Sequence, residues 1–373
     1  MKKRLLAMLM AGTMALSMTA CGGGGASDGG EAADGGEAAE GVAKIGVSMP
    51  TQSLQRWNQD GSNMKEQLEA AGYEVDLQYA GDNDIPTQVS QIENMIAGGC
   101  DALVIAAIDG SALTEALKGA SENNIPVISY DRLIMNSDAV SYYATFDNYK
   151  VGQMQGEYIC DALDLDNAAG PFNIELTTGA PDDNNVNFFF GGAMDVLQPY
   201  IDSGKLVVLS GQTEKAQCAT ANWSTEEAQK RFENIITSVG YGPDGVKLDA
   251  VLCSNDSTSY GVQNALQAAG YTAENMPIIT GQDCDKPNVK NLVSGLQSMS
   301  VFKDTRTLAD ATVKMVDAIV KGTEPEINDT ETYDNGTGII PSYLCDPVVV
   351  TKDNYEEILI DSGYYTAEDV AYL

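Results

Sequence analysis

The sequence predicts an α/β protein built as two doubly wound parallel-sheet lobes joined by a three-segment hinge. Two observations carry this reading: short β-branched runs alternate with helical stretches, and the alternation occurs twice along the chain. Ala43 to Ser48 reads as a first strand, followed by a helix from about Gly61 to Ala71 that stops at Gly72. Glu74 to Tyr79 is a second strand and Ile85 to Ala97 a second helix, and Ala102 to Ile108 and Val127 to Tyr130 continue the pattern. Strands separated by helices of this length form βαβ units with right-handed crossovers, and hence a parallel sheet.

The repeat argues for duplication. Asp101 to Asp109 leads through a helix to Pro126–Asp131, and later Asp249 to Asp256 leads through a helix to Pro277–Asp283. Glu69–Tyr73 and Gln267–Tyr271 share Ala-Ala-Gly-Tyr at their helix ends. Open parallel sheets bind ligands beyond the carboxyl ends of their strands. Two such lobes facing each other would set Asp131 and Asp283 on opposite walls of one cleft, closed by hinge motion. The crossings are expected at Phe146–Asn148, near Val301–Phe302 ahead of a helix from Asp304 to Lys321, and at 338–342. The last would send Val348–Val350 to the second lobe. The expected divisions are residues 43–147 plus 304–338 for lobe 1, and 148–303 plus 339–373 for lobe 2.

The first residues read differently. Lys2, Lys3 and Arg4 precede an apolar run, Leu5 to Met18, that is too short to span a bilayer, and Met18-Thr-Ala-Cys21 follows. This order predicts a lipoprotein signal peptide over 1–20 and a lipid anchor on Cys21. Residues 21–42, almost all Gly, Ala, Ser, Asp and Glu after the cysteine, form a flexible tether. The folded part is therefore expected outside the cytoplasm, held to the outer face of the cell membrane.

Composition excludes several classes. A formal charge of −33, from 54 acidic and 21 basic residues, repels nucleic acid. The chain has no histidine, which removes the Ser-His-Asp triad and histidine metal sites. Besides Cys21, the cysteines are Cys100, Cys160, Cys218, Cys253, Cys284 and Cys345, with no C-x-x-C pair, and are read as mostly free thiols. No P-loop or dinucleotide fingerprint occurs, and the acidic runs at Asp164–Ala168 and Asp329–Gly336 fail the calcium-loop pattern, so no cofactor or metal is expected.

The two tryptophans, Trp57 and Trp223, fall one in each predicted lobe, in polar, loop-like contexts. Paired indoles can sandwich the C–H faces of a sugar ring. Carboxylates, amides and guanidinium groups are natural partners of neighbouring hydroxyls, since each engages two groups at once. Asp131-Arg132 directly follows a strand, the position where such sheets bind. Asn255-Asp256 stands between a strand and a helix, where capping and binding compete. The same competition holds at Gln282-Asp283 and across Asp182–Asn185, and Asp109 reads as a cap.

Longer stretches carry a resemblance: Ser48–Thr51, Arg56-Trp57, Tyr79 through Ile96, Tyr130–Ile134, Ser141–Asn148, Gly170–Leu176, Pro181–Asn185, Pro199–Leu206, Phe302–Arg306 and Pro341–Leu344. With these the chain resembles the type I periplasmic sugar-binding proteins of ABC monosaccharide importers, in the branch of multiple-sugar-binding, xylose-binding and ribose-binding receptors. The resemblance implies a pyranose stacked between Arg56-Trp57 and Trp223. It implies polar contacts from Asp131 and Arg132 on one lobe, and from Asn184 (or its neighbour Asn185), Asn255 (or Asp256) and Asp283 on the other, with Lys303 near the returning hinge. It further implies a non-enzymatic monomer that hands its sugar to an ABC permease, or alternatively signals to a chemoreceptor or sensor kinase. Departures at Ser254–Asp256, Cys284 and Gln212–Ala221 leave the preferred sugar open between xylose, glucose, galactose and arabinose.

Overall fold

The computed structural model describes residues 41–371. The signal segment, Cys21 and the tether up to residue 40 lie outside the described residues. Twelve strands follow one another along the described chain: β1 (Lys44–Met49), β2 (Glu74–Tyr79), β3 (Ala102–Ile105), β4 (Val127–Tyr130), β5 (Val140–Phe146), β6 (Phe172–Thr177), β7 (Leu206–Val207), β8 (Ala250–Cys253), β9 (Ile278–Ile279), β10 (Ser300–Phe302), β11 (Ser342–Cys345) and β12 (Val348–Val350). They form a six-stranded parallel sheet in the order β2-β1-β3-β4-β5-β11 and a four-stranded parallel sheet in the order β7-β6-β8-β9. β10 and β12 pair antiparallel.

The order β7-β6-β8-β9 is that of β2-β1-β3-β4, so the two sheets are wound alike. The duplicated sequence segments fall on matching strands, with Asp131 just past β4 and Asp283 just past β9. β3, β4 and β8 are buried at every residue, as expected of parallel strands covered by helices on both faces. This explains why they read as unbroken apolar runs rather than alternating ones.

Helices fix the two halves against their sheets. The helix Asn148–Ala162 packs on Asn185–Asp202 at a glycine contact: a Cβ at Gly152 would overlap the Phe189 carbonyl, and one at Gly192 the Tyr149 carbonyl. The helix Thr305–Val320, whose first turn is capped by the Asp304 carboxylate on the Arg306 N–H at 3.0 Å, packs on Gln55–Ala70 beside the larger sheet. Among the described residues, no helix is long and apolar enough to cross a membrane.

Two expectations are corrected. The first helix begins at Gln55, not near Gly61, so Arg56 and Trp57 stand in its opening turn rather than in a loop. Leu54 at its N-cap offers no side-chain bond, so no start signal was present to be read. The third crossing comes after Cys345, not at 338–342: Ser342–Cys345 is an edge strand of the larger sheet, in register with Tyr143–Phe146. Val348–Val350 pairs antiparallel with Ser300–Phe302. The six cysteines among the described residues are free, and all but Cys160 are buried.

Candidate functional site

The carboxyl ends of both sheets open on one cleft. At β4 the chain leaves through Asp131 in a left-handed conformation (φ 59°), and past β9 through Asp283 (φ 96°). Aspartate tolerates this region better than most residues because its short side chain bonds locally. The Asp131 carbonyl accepts from Tyr143 Oη at 2.6 Å and Asn185 Nδ2 at 2.7 Å, while the Asp283 N–H donates to the Val301 carbonyl at 2.8 Å. Each carboxylate is thereby turned inward on a pinned backbone.

Between them lies Arg56, 7% exposed. Its Nε donates to Asp60 Oδ2 at 2.9 Å, one Nη donates to Asp131 Oδ2, and the other stands 3.5 Å from Asp283 Oδ1. Asp283 also receives Lys303 at 3.0 Å, and Lys303 is 3% exposed. A third cation, Arg132, places Nε 3.0 Å from Asp183 Oδ2, a contact close enough for ion pairing but poorly aligned as a hydrogen bond. The Arg132 and Arg56 guanidinium carbons lie 5.0 and 5.3 Å from the Trp57 ring centre, within cation–π range.

This crowding sets the charges. Burial works to raise the Asp131 carboxyl, but Arg56, Lys303 and Arg132 together outweigh it and hold Asp131 below the ordinary range. For Asp60, burial wins over Arg56, with Asp131 adding to the rise, and the carboxyl is pushed up to about 6. Asp131 is thus a fixed anion rather than a proton donor.

Trp223 forms the opposite wall. It sits in the left-handed region (φ 56°), which is uncommon for a bulky residue and marks a conformation imposed by its surroundings. Its indole Nε1 donates to Asp183 Oδ2 at 3.1 Å, its carbonyl accepts from Ser257 Oγ at 2.8 Å, and the Phe189 ring meets it edge-on at 6.2 Å between centres. The ring also lies on Gly179, where a Cβ would overlap it. Gly179→Ala is expected to displace the indole and cut ligand affinity by about tenfold or more while the protein stays folded, as checked by calorimetry beside circular dichroism.

The site residues expected from the sequence come together with one exception. Arg56, Trp57, Asp131, Arg132, Trp223, Asn255, Asp283 and Lys303 all line an inner pocket of about 40 Å³. Trp57, Arg132 and Trp223, with Leu54, also line an adjoining outer pocket of about 370 Å³, so the two form one continuous cleft. Asp82, Asp182 and Glu226 rim the outer part. Asn184 is the exception: its Oδ1 accepts from Asn187 at 3.0 Å, and it is Asn185 that lines the pocket. Helix rotation from one residue to the next decides which amide faces inward. Asn255 both lines the pocket and caps the next helix, its Oδ1 accepting from the Thr258 N–H at 3.0 Å. Asp256 is turned away into a buried network, accepting from Gln297 and Ser300 at 2.9 Å.

Asp60, Phe189, Ser257 and Asp285 are not anticipated as site or supporting residues; Gln282 is weighed only beside Asp283, and Asp183 only within its acidic-amide run. Asp60 had one signal, its spacing of four residues from Arg56, which becomes a helical pair once the helix is known to start at Gln55. The assembled set combines flat aromatic walls with cations, carboxylates and amides that each engage two neighbouring polar groups. That combination suits a small polyhydroxylated ring.

Comparison with known proteins agrees with this geometry. The family model described as periplasmic binding protein domain matches residues 45–324. The chain is 51% identical over 328 residues to the multiple sugar-binding periplasmic receptor ChvE of Rhizobium radiobacter, covering 87% of this chain and 92% of the relative. It is 35% identical to the D-xylose-binding periplasmic protein of Escherichia coli (strain K12), covering 88% and 92%. A crystal structure of an ABC transporter solute binding protein from Clostridium phytofermentans with bound beta-D-glucose superposes with a TM-score of 0.85 at 64% identity, covering 88% of this chain and all of that one.

Proposed function

This chain belongs to the periplasmic binding protein domain family, and on that premise we propose that it is an extracytoplasmic receptor that closes on a monosaccharide and delivers it to an ABC importer. Its ligand is an aldopentose or aldohexose pyranose such as xylose, glucose, galactose or arabinose. The observation that carries the reading is the pairing of Trp57 and Trp223 in one cleft lined by Arg56, Asp131, Asp283 and Lys303. The 64% identity to a solute binding protein holding beta-D-glucose supports it. Cys21 carries the lipid that keeps the receptor at the membrane.

The mechanism follows from where the groups are rooted. Residues 43–147 and 304–345 form one lobe, and 148–303 with 346–371 the other, β11 falling with the first by its register with β5. Sugar enters the open cleft and stacks on an indole, and closure then joins Arg56 and Asp131 of one lobe to Asp283 and Lys303 of the other. Closure buries polar groups that cost about 1–3 kcal/mol each if left unpaired, so an epimer that misplaces one hydroxyl is penalised. Affinity is expected near micromolar, about −8 kcal/mol.

The Asp131 and Asp283 pair does not suit glycoside hydrolysis. A glycosidase needs one carboxyl held protonated and a second free to attack or to activate water. Asp131 is held ionised by its cations, and Asp283 is bound to both Arg56 and Lys303. A thermal-shift and calorimetric screen of aldoses tests the reading. At least one aldose is expected to bind near micromolar; no stabilisation by any of them would refute sugar capture.

A further inference from the structure

Two acceptors on the small-sheet wall of the inner pocket remain once the protein's own hydrogen bonds are assigned. Gln282 Oε1 and Asp285 Oδ1 are buried, and among the described residues neither has a hydrogen-bond partner. Both residues line the inner pocket on either side of Asp283 in sequence. Their backbones are held independently: the Gln282 carbonyl accepts from the Asp256 N–H at 2.9 Å, and the Asp285 N–H donates to Asp256 Oδ2 at 2.9 Å. Asp285 precedes the helix Lys286–Ser294, yet its side chain makes no capping bond there. Neither side chain therefore has a visible structural duty.

The nearby cations are committed elsewhere. Lys303 binds Asp283, and Arg56 is shared among Asp60, Asp131 and Asp283. Buried polar atoms are nearly always paired, because an orphan acceptor has lost its water without replacement. Two such atoms in one pocket call for donors from outside the chain.

We propose that Gln282 and Asp285 are further ligand-reading residues, each accepting a hydrogen from a different hydroxyl of the bound sugar. The assignment deepens the sugar-binding reading above and rests on it. It also gives the site a means of selection. A ring lacking the hydroxyl at either position leaves a buried acceptor unpaired, at a cost in affinity.

The test is calorimetric titration of the full chain with D-glucose and its monodeoxy analogues, comparing wild type with Gln282→Met and Asp285→Ala. Each variant is expected to lose about tenfold in D-glucose affinity, equivalent to about 1.4 kcal/mol. For one deoxy analogue per residue, wild type and variant should bind equally, because the missing donor and the missing acceptor are one pair. Asp285→Asn, which keeps an acceptor oxygen, should recover part of the loss. Thermal unfolding is followed alongside. If Gln282→Met or Asp285→Ala does not fold, Gln282→Leu or Asp285→Leu, neither of which offers an acceptor, carries the comparison. Unchanged D-glucose affinity in a folded variant, or a loss uniform across all analogues, overturns the assignment. Failure of the wild type to bind any aldose would instead overturn the sugar reading itself.

Discussion

Replacing Trp223 by alanine is expected to cost sugar binding about 2–4 kcal/mol, roughly 30- to 900-fold in Kd. The indole gives one flat wall of the cleft. Its removal also frees Asp183, which holds both the indole N–H and Arg132, so the opposite wall loses definition as well. The ring packs with Val151, Phe189 and Met299, and some loss of thermal stability should accompany the change. Trp223→Phe is the intermediate case: it keeps a smaller aromatic face and loses the N–H bond to Asp183, so its affinity should fall between those of wild type and the alanine variant. Calorimetry on both variants decides the matter. An alanine variant that binds within threefold of wild type would remove Trp223 from the site.

The second large effect concerns Arg56. Arg56→Ala leaves Asp60, Asp131 and Asp283 without the guanidinium they share, and breaking a buried pair from one side costs about 3–5 kcal/mol. The pH dependence has a definite sign. In the wild type, Asp131 titrates below its unfolded value, so its contribution is present above that value and is lost as pH falls through the folded one. Without Arg56, burial and mutual repulsion raise Asp131 and Asp60 together. Asp60 already sits at about 6 against an ordinary 3.8. A raised carboxyl favours the fold below its unfolded value and loses that benefit as pH rises through the folded one. The stability gap between variant and wild type should therefore be widest above pH 7 and should narrow toward pH 4. Denaturant melts across that range measure it, and a gap independent of pH would show that the three carboxylates are not coupled through Arg56.

Much of this site is legible in the chain because strand ends are informative. The two matching segments that end at Asp131 and Asp283 reveal both the duplication and the wall positions, and β7-β6-β8-β9 repeats the winding of β2-β1-β3-β4. What stays hidden depends on orientation rather than on element type. Arg56 and Trp57 read as loop residues because the helix that carries them starts on Leu54, which has no capping side chain. Asn184 and Asn185 differ by one step of helical rotation, which composition does not encode. Asp183 looks like one more acidic residue in a turn, and its bond to Trp223 joins positions 40 residues apart. Edge strand β11 follows a polar, glycine-containing segment, and only its pairing with β5 reveals to which sheet it belongs.

The cleft holds every indole in the chain: the sequence contains two tryptophans, and both line the same pocket. Emission excited selectively from indole therefore comes from the binding site alone, with no background from a distant ring. The receptor carries its own optical gauge, and any approach of the walls around a guest must register in it without a dye or a label.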